Sequence, residues 1–317
     1  MTAFIIRRLL YTAPIVFGVL LLTFVLFTLV GGDISYQIAG KNADAETIAE
    51  IRHEYGLDKP LFIGPAGDRL NSQFVAHFKN ALTFNFGYDL NRELILERIA
   101  RGVMPSLSLT VPMFLGTLML SISLALIAAF VRGSWLDITL VVLCVAGMSI
   151  PYLSFIIFGQ YVFAYQLDWF PIFYVPDQPI WVSVALPAMI GIAAGLGGGL
   201  RFYRTIMLDE MRSDYVRTAF AKGLSTRTVL FKHVLKNAMI PIVTNVVMSI
   251  PYLVLGSLLL ERFFGIPGLG DMMIQAINAR DYFVLNAITF MMSLLIIVFT
   301  LLTDICYAWV DPRVSLG

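Results

Sequence analysis

Six long apolar runs limit what this chain can become: Leu9–Val30, Val103–Val131, Leu136–Tyr165, Val182–Leu200, Met239–Leu260 and Val284–Ala308. Each is near or above the roughly 20 residues that a helix needs to cross about 30 Å of hydrocarbon. In lipid the backbone must satisfy its own polar groups, so only helices or closed barrels can span. The runs are continuous rather than short alternations of apolar and polar residues, so they read as helices. Composition agrees: 58% of the residues are hydrophobic and only 14% charged, too few charges to coat a soluble domain of 317 residues. The expected fold class is an all-α membrane protein with six transmembrane helices.

Arg7 and Arg8 precede a run too long for a cleaved signal peptide, so the first helix is expected to be retained with its basic start in the cytoplasm. Six crossings then return the C-terminus to the same side. The inside segments hold Arg132, Arg201, Arg204, Arg212, Arg217, Lys222, Arg227, Lys232, Lys236 and Arg313, whereas the short outside loops hold only Arg262 and Arg280. Trp135, Trp169, Trp181 and Trp309 all fall at expected helix ends, as an aromatic belt would. Segment 31–102 carries 18 charged residues and cannot span. Ile48, Ile51 and Tyr55 share one helical face, and Leu70, Phe74, Phe78 and Ala81 another, with the turn-rich "YGLDKPLFIGPAG" between them. A small external helical cap is expected, packed over the helices or docking a partner.

Much chemistry is missing. The spans hold almost no ionisable residue, and Asp33, Asp137, Glu261 and Asp304 lie near ends, which argues against ion-coupled transport. Gln160, Asn245 and Asn286 are expected to bridge helices, with substrate contact as the alternative. No phosphate-cradling G-x-x-x-x-G-K-[ST] loop is present, and "GIPGLGD" (Gly265–Asp271) reads as a turn because it lacks a strand–turn–helix setting. His53, His77 and His233 stand far apart, and Cys144 and Cys306 sit in apolar runs, so no metal site or disulfide framework is expected. "AAGLGGGL" (Ala193–Leu200) lets a neighbouring helix approach closely or forms a hinge.

One polar stretch interrupts the apolar pattern late in the chain. From Leu208 to Lys236 there are nine Asp, Glu, Lys or Arg residues; burying them in lipid at about 2.5–3.5 kcal/mol each would cost roughly 25 kcal/mol, so the stretch belongs in the cytoplasm. Met207, Met211, Tyr215 and Ala219 recur every four residues, an apolar stripe that calls for a partner surface. Gly223 breaks the pattern as a C′ glycine, and Ser225 or Thr226 caps a second helix bearing Val229, Leu230, Val234 and Ala238. Two short helices meeting at a glycine are expected between the fourth and fifth spans.

"DYVRTAFAKGLS" (Asp214–Ser225) followed by "HVLKNAMIPIVT" (His233–Thr244) resembles the cytoplasmic EAA loop of permease subunits of binding-protein-dependent ABC importers, in the oligopeptide/dipeptide/nickel branch. "FIIRRLL", "YGLDKPL", "NFGYDL", "RDYFVLNA" and "VDPRV" extend the likeness over essentially the whole chain. The resemblance implies a type I permease, with residues 1–30 as the first helix, 31–102 as the external cap, 103–308 as a five-helix core containing the coupling loop 205–238, and 309–317 as a cytoplasmic tail. It implies that Met211, Asp214, Tyr215, Arg217, Thr218, Ala219, Phe220, Ala221, Lys222, Gly223 and Leu224 dock on an ATP-binding subunit. Arg217-Thr218-Ala219 stands where the general motif has Glu-Ala-Ala, and Phe220 where the branch often carries a basic residue.

The implied partners are a homologous second permease, two ATP-binding subunits, and a substrate-binding protein contacting 31–102 and Gln166–Trp181. This chain would bind no cofactor and catalyse no reaction, with ATP and Mg used by its partners. It would reside in the inner membrane with both termini cytoplasmic. Di- or oligopeptides are the implied cargo, with nickel complexes or opines as the alternative within the branch. A stand-alone facilitator or channel is the alternative outside it.

Overall fold

The computed structural model describes residues 2–40 and 43–310. The expected tail 311–317, and the side chains of Arg8, Asp304, Cys306 and Trp309, lie outside the described residues. In chain order the helices are α1 (Thr2–Phe24), α2 (Ser35–Ala39), α3 (Ala45–Glu54), α4 (Gln73–Leu82), α5 (Ile95–Phe130), α6 (Trp135–Ser149) and α7 (Tyr152–Gly159). They continue as α8 (Ile180–Met211), α9 (Asp214–Ala221), α10 (Thr226–Thr228), α11 (Leu235–Leu255), α12 (Leu258–Phe264), α13 (Leu269–Ala279) and α14 (Tyr282–Val310). One-turn π-helical segments extend α1 over Val25–Val30, extend α7 over Gln160–Gln166, and join α10 to α11 over Val229–Val234. Among the described residues the only β-pairing is one bridge between Tyr88 and Leu94. The all-α expectation holds.

Five helical stretches are long and apolar enough to cross a membrane: Leu10–Thr28, Ile95–Phe130, Ile180–Met211, Thr226–Phe264 and Tyr282–Thr303. The sixth expected span is broken: Trp135–Ser149 and Tyr152–Gln166 meet at 92°. Pro151 is the cause. It has no N–H to continue the helix, and it pushes the preceding Ile150 into extended backbone (φ −84°, ψ 126°).

Contacts gather the chain into two units, residues 1–102 with 272–317, and residues 103–271. The expected block 103–308 therefore divides, because α14 packs along α1. In the first unit Leu20, Ala81 and Phe290 are buried together, and Phe24 and Phe74 meet edge-to-face at 5.3 Å. The side chains of Asp44 and Ser72 cap α3 and α4 by accepting the N–H groups of Thr47 and Val75. Phe74, Phe78 and Ala81 line the inner face of α4 as expected, but Leu70 lies before that helix and is exposed. Asp89 is buried and takes Arg98 at 2.6 Å.

The second unit has two cores. One joins Leu109, Ile156, Val184, Ile190, Leu260 and Phe264. The other gathers Ala125, Tyr203, Met207, Val229, Val234 and Ile242, and it receives α9.

Candidate functional site

Helix α9 is short and begins where α8 stops. Arg212 closes α8, Ser213 turns the chain with extended backbone (φ −69°, ψ 148°), and Asp214 sits in the first turn of α9, where a carboxylate faces the positive helix end. Gly223 ends it with φ +78°. Its N–H bonds the carbonyl of Phe220 at 2.9 Å, and the N–H of Leu224 reaches back to Ala219 at 3.3 Å, the paired bonds of a Schellman stop. No atom lies within 4 Å of where a Cβ would sit on Gly223, so backbone angle rather than crowding demands glycine there.

The interruption at Arg212–Ser213 corrects the expected stripe. Met207 and Ala219 are buried, but Tyr215 has turned outward and its hydroxyl donates to Glu210. Val216 takes its place, 1% exposed, against the core of Met207, Val229, Leu230 and Val234. The apolar stripe is thus buried within this chain, not left open for a partner. What faces outward is the other side: Asp214, Tyr215, Arg217, Thr218, Phe220, Ala221, Lys222, Gly223 and Leu224 are exposed, and Met211 is half-buried. Burial and the Glu210 carboxylate both hold the Tyr215 hydroxyl above its usual pKa. Arg217 lies 3.3 Å from Asp214, both solvated, a pair worth little.

The second expected short helix is the start of a longer one. Ser225 accepts the N–H of Thr228 as a cap, and helix then runs from Thr226 through the π segment into α11 without a break. Val229, Leu230, Val234 and Ala238 are buried on one side, as their spacing indicates. The arrangement is one short crosspiece between two long helices, with Arg212, Arg217, Lys222, Arg227, Lys232 and Lys236 exposed around it. On the 166–181 segment, Trp169, Phe173 and Trp181 are exposed, and the N–H of Tyr174 anchors on the carbonyl of Phe264 at 2.8 Å.

Two family profiles match. "Binding-protein-dependent transport system inner membrane component" covers residues 121–316, which include α9 and the basic residues around it. The chain belongs to that family. A profile for the family's membrane component N-terminus covers residues 1–78. A glutathione transport system permease protein of Escherichia coli (strain K12) is 33% identical over 99% of both chains. A putative peptide transport system permease protein of Brucella suis biovar 1 (strain 1330) is 35% identical over 99% of both. The chain is a permease of a binding-protein-dependent ABC importer, in the peptide/nickel branch.

Two features of this permease were not foreseen in the sequence. Asp137 of α6 and Arg204 of α8 form a fork-to-fork pair, Nε to Oδ1 and Nη2 to Oδ2 both at 2.8 Å. Glu261 is fully buried. It accepts Ser106 Oγ at 2.8 Å and the N–H groups of Ser257 and Asp271, each at 3.1 Å. The "GIPGLGD" turn wraps this carboxylate: a Cβ on Gly256, Gly268 or Gly270 would press into it. The close helix approach expected at the "AAGLGGGL" glycines is present. Gly195 faces Thr117 of α5 and Gly197 faces the Cys144 carbonyl of α6, as close packing requires. Gly256, Gly268 and Gly270 lie within ten residues of Glu261, but its serine partner Ser106 is 155 positions away, a pairing that only the folded chain brings together.

Proposed function

We propose that this permease carries peptides or peptide-like compounds inward, and that α9 with Gly223 and Leu224 is its docking element for an ATP-binding subunit. The observation that carries the second part is the two-sided α9. Val216 and Ala219 root it in the permease, while Tyr215, Phe220 and Leu224 present apolar surface outward among Arg217 and Lys222. Exposed aromatic and aliphatic side chains ringed by charge are what a protein partner covers. A rigidly rooted crosspiece transmits displacement, so closure of paired ATP-binding subunits would move α8 and α11 together.

The same reading places both termini and α9 in the cytoplasm, in keeping with the exposed Arg212, Arg217, Lys222, Arg227, Lys232 and Lys236 around α9. It assigns a homologous second permease, two ATP-binding subunits and a substrate-binding protein as partners. The cap 31–102 and the exposed aromatics of 166–181 face that binding protein. The names of the two relatives support peptide-like cargo. ATP and Mg belong to the partner subunits.

Replacing Phe220 and Leu224 together by Asp tests the docking element. The expected result is loss of ATP-binding subunits from the purified complex and loss of ATP-dependent uptake, with the permease still inserted in the membrane. Undiminished co-purification and uptake would overturn it.

A further inference from the structure

Between α5, α8 and α11, within residues 103–271, lies a cleft of about 280 Å³ lined by Phe114, Thr117, Gly195, Gly198, Phe202 and Asn245, among others. Packing accounts for most of the glycine run beside it. A Cβ on Gly195 would meet Thr117 Cγ2 at 3.0 Å, one on Gly197 the Cys144 carbonyl at 2.8 Å, and one on Gly199 would collide with Ser121 Oγ. Gly198 is different: a Cβ there would meet nothing within 4 Å. Its helical backbone does not need glycine either, since its φ is not positive. Neither neighbours nor conformation explain why this position, which opens on the cleft, has no side chain.

Asn245 raises a matching question. Of the three amides first read as helix bridges, Gln160 donates to the carbonyls of Ile172 (2.8 Å) and Phe263 (3.3 Å), and Asn286 reaches His77 (3.0 Å). Among the described residues the Asn245 amide has no hydrogen-bond partner, although it lies six residues into the apolar run that begins at Met239. An amide left unpaired at that depth is unfavourable, and polar groups there mark transport paths. Ser121 adds a second such group. It is fully buried, its Oγ has no partner among the described residues, and it points at Gly199, which also lines the cleft.

The lining chemistry defines the occupant. No Asp, Glu, Lys, Arg or His borders the cleft. A carboxamide offers one donor and one acceptor side by side, the complement of a peptide –CO–NH– unit. The rings of Phe114 and Phe202 supply apolar walls. We propose that this cleft is a substrate-contact site on the translocation path. Asn245 pairs with an uncharged amide of the passing molecule, and Gly198 is bare so that the molecule's backbone can come close. The site rests on the peptide-importer reading above.

The test uses the complete transporter, with its partner subunits and binding protein, in proteoliposomes. The probes are radiolabelled trialanine and glutathione. Gly198→Leu projects a side chain into the cleft from a position whose Cβ meets no neighbour within 4 Å, so the complex assembles, and maximal uptake at saturating binding protein falls by about tenfold or more. Gly18→Leu, at a first-span glycine equally free of contacts, transports as wild type. Asn245→Leu lowers maximal uptake of both probes, and Asn245→Gln restores most of it. Wild-type uptake by Gly198→Leu or by Asn245→Leu would overturn the site while leaving the importer reading intact. An equal fall in Gly18→Leu would also overturn it, reducing the effect to helix packing. Absence of ATP-dependent uptake of either probe by the wild-type transporter would overturn the peptide reading, and the site with it.

Discussion

At the scale of single residues, the structure separates polar side chains that hold elements together from those that titrate. Glu261 belongs to the first group. Its carboxylate takes one hydroxyl and two backbone N–H donors while fully buried, so replacing it by Ala strands those donors at about 1–3 kcal/mol each. A methyl at Gly268 would push into the carboxylate, and overpacking of this kind costs about 1–3 kcal/mol. Thermal unfolding in detergent should show both Glu261→Ala and Gly268→Ala clearly destabilised, with Glu261→Gln milder than Glu261→Ala. His77 belongs to the second group. It packs in the cap with Asn286 Nδ2 3.0 Å from one ring nitrogen and Thr23 Oγ1 3.4 Å from the other. Burial lowers its pKa from 6.5, so the folded chain favours the neutral ring. Its contribution is complete above pH 6.5 and is lost as pH falls, because the unfolded chain then takes up a proton first. A drop in melting temperature between pH 7.5 and 5.5 that is smaller in His77→Gln checks this.

At the scale of elements, the sequence was most legible where one cause acts locally. Apolar length marked five spans correctly, and Ser225, Gly223 and the Val229–Val234 spacing marked the cap, stop and buried side of the loop. Two errors have the same origin. Period-four counting assumes an unbroken helix, and it carried the Met207–Met211 stripe on to Tyr215 although Ser213 starts a new helix with a rotated face. Length alone likewise joined Leu136 to Tyr165 across Pro151, where the axis turns by 92°. The candidate site was therefore found as a segment, but its inner and outer faces were assigned only by folding. Pairings between distant elements were invisible, as with Asp137 and Arg204, which are 67 positions apart. The Asp137 carboxylate is nearly buried and engaged at both oxygens, so removing one partner leaves a charge without its complement. Arg204→Ala should cost about 3 kcal/mol, and Asp137→Asn with Arg204→Gln together less than the sum of the singles. Unfolding of the three variants in detergent measures that coupling.

At the scale of the whole molecule, the first helix is more than a membrane anchor. The chain's two ends share one unit: α1 packs along α14, and Leu20, Ala81 and Phe290 form a buried cluster with Val16, Val19, Phe78 and Phe86 around it. Leu20 is fully buried and Phe24 is 2% exposed. Phe24 also meets Phe74 edge-to-face and His77 at a tilt. Lipid would cover the membrane-facing part of α14 if α1 were absent, but lipid tails would not replace the contacts that α1 gives the cap. Phe62, Phe74 and His77 would lose Phe24, and the charged segment 31–102 would lose its root. Loss of one large buried aromatic side chain alone costs about 3–5 kcal/mol, a large part of the stability of an ordinary domain. A chain lacking residues 1–30 should therefore fail to accumulate in membranes. Phe24→Ala in the full-length chain should lower the melting temperature and make residues 31–102 of the purified protein sensitive to protease. Supplying α1 as a separate peptide should restore part of the lost accumulation, because its contacts are side-chain packing and need no continuous backbone. A truncated chain as abundant and protease-resistant as the full-length protein would show instead that the cap stands without the first helix.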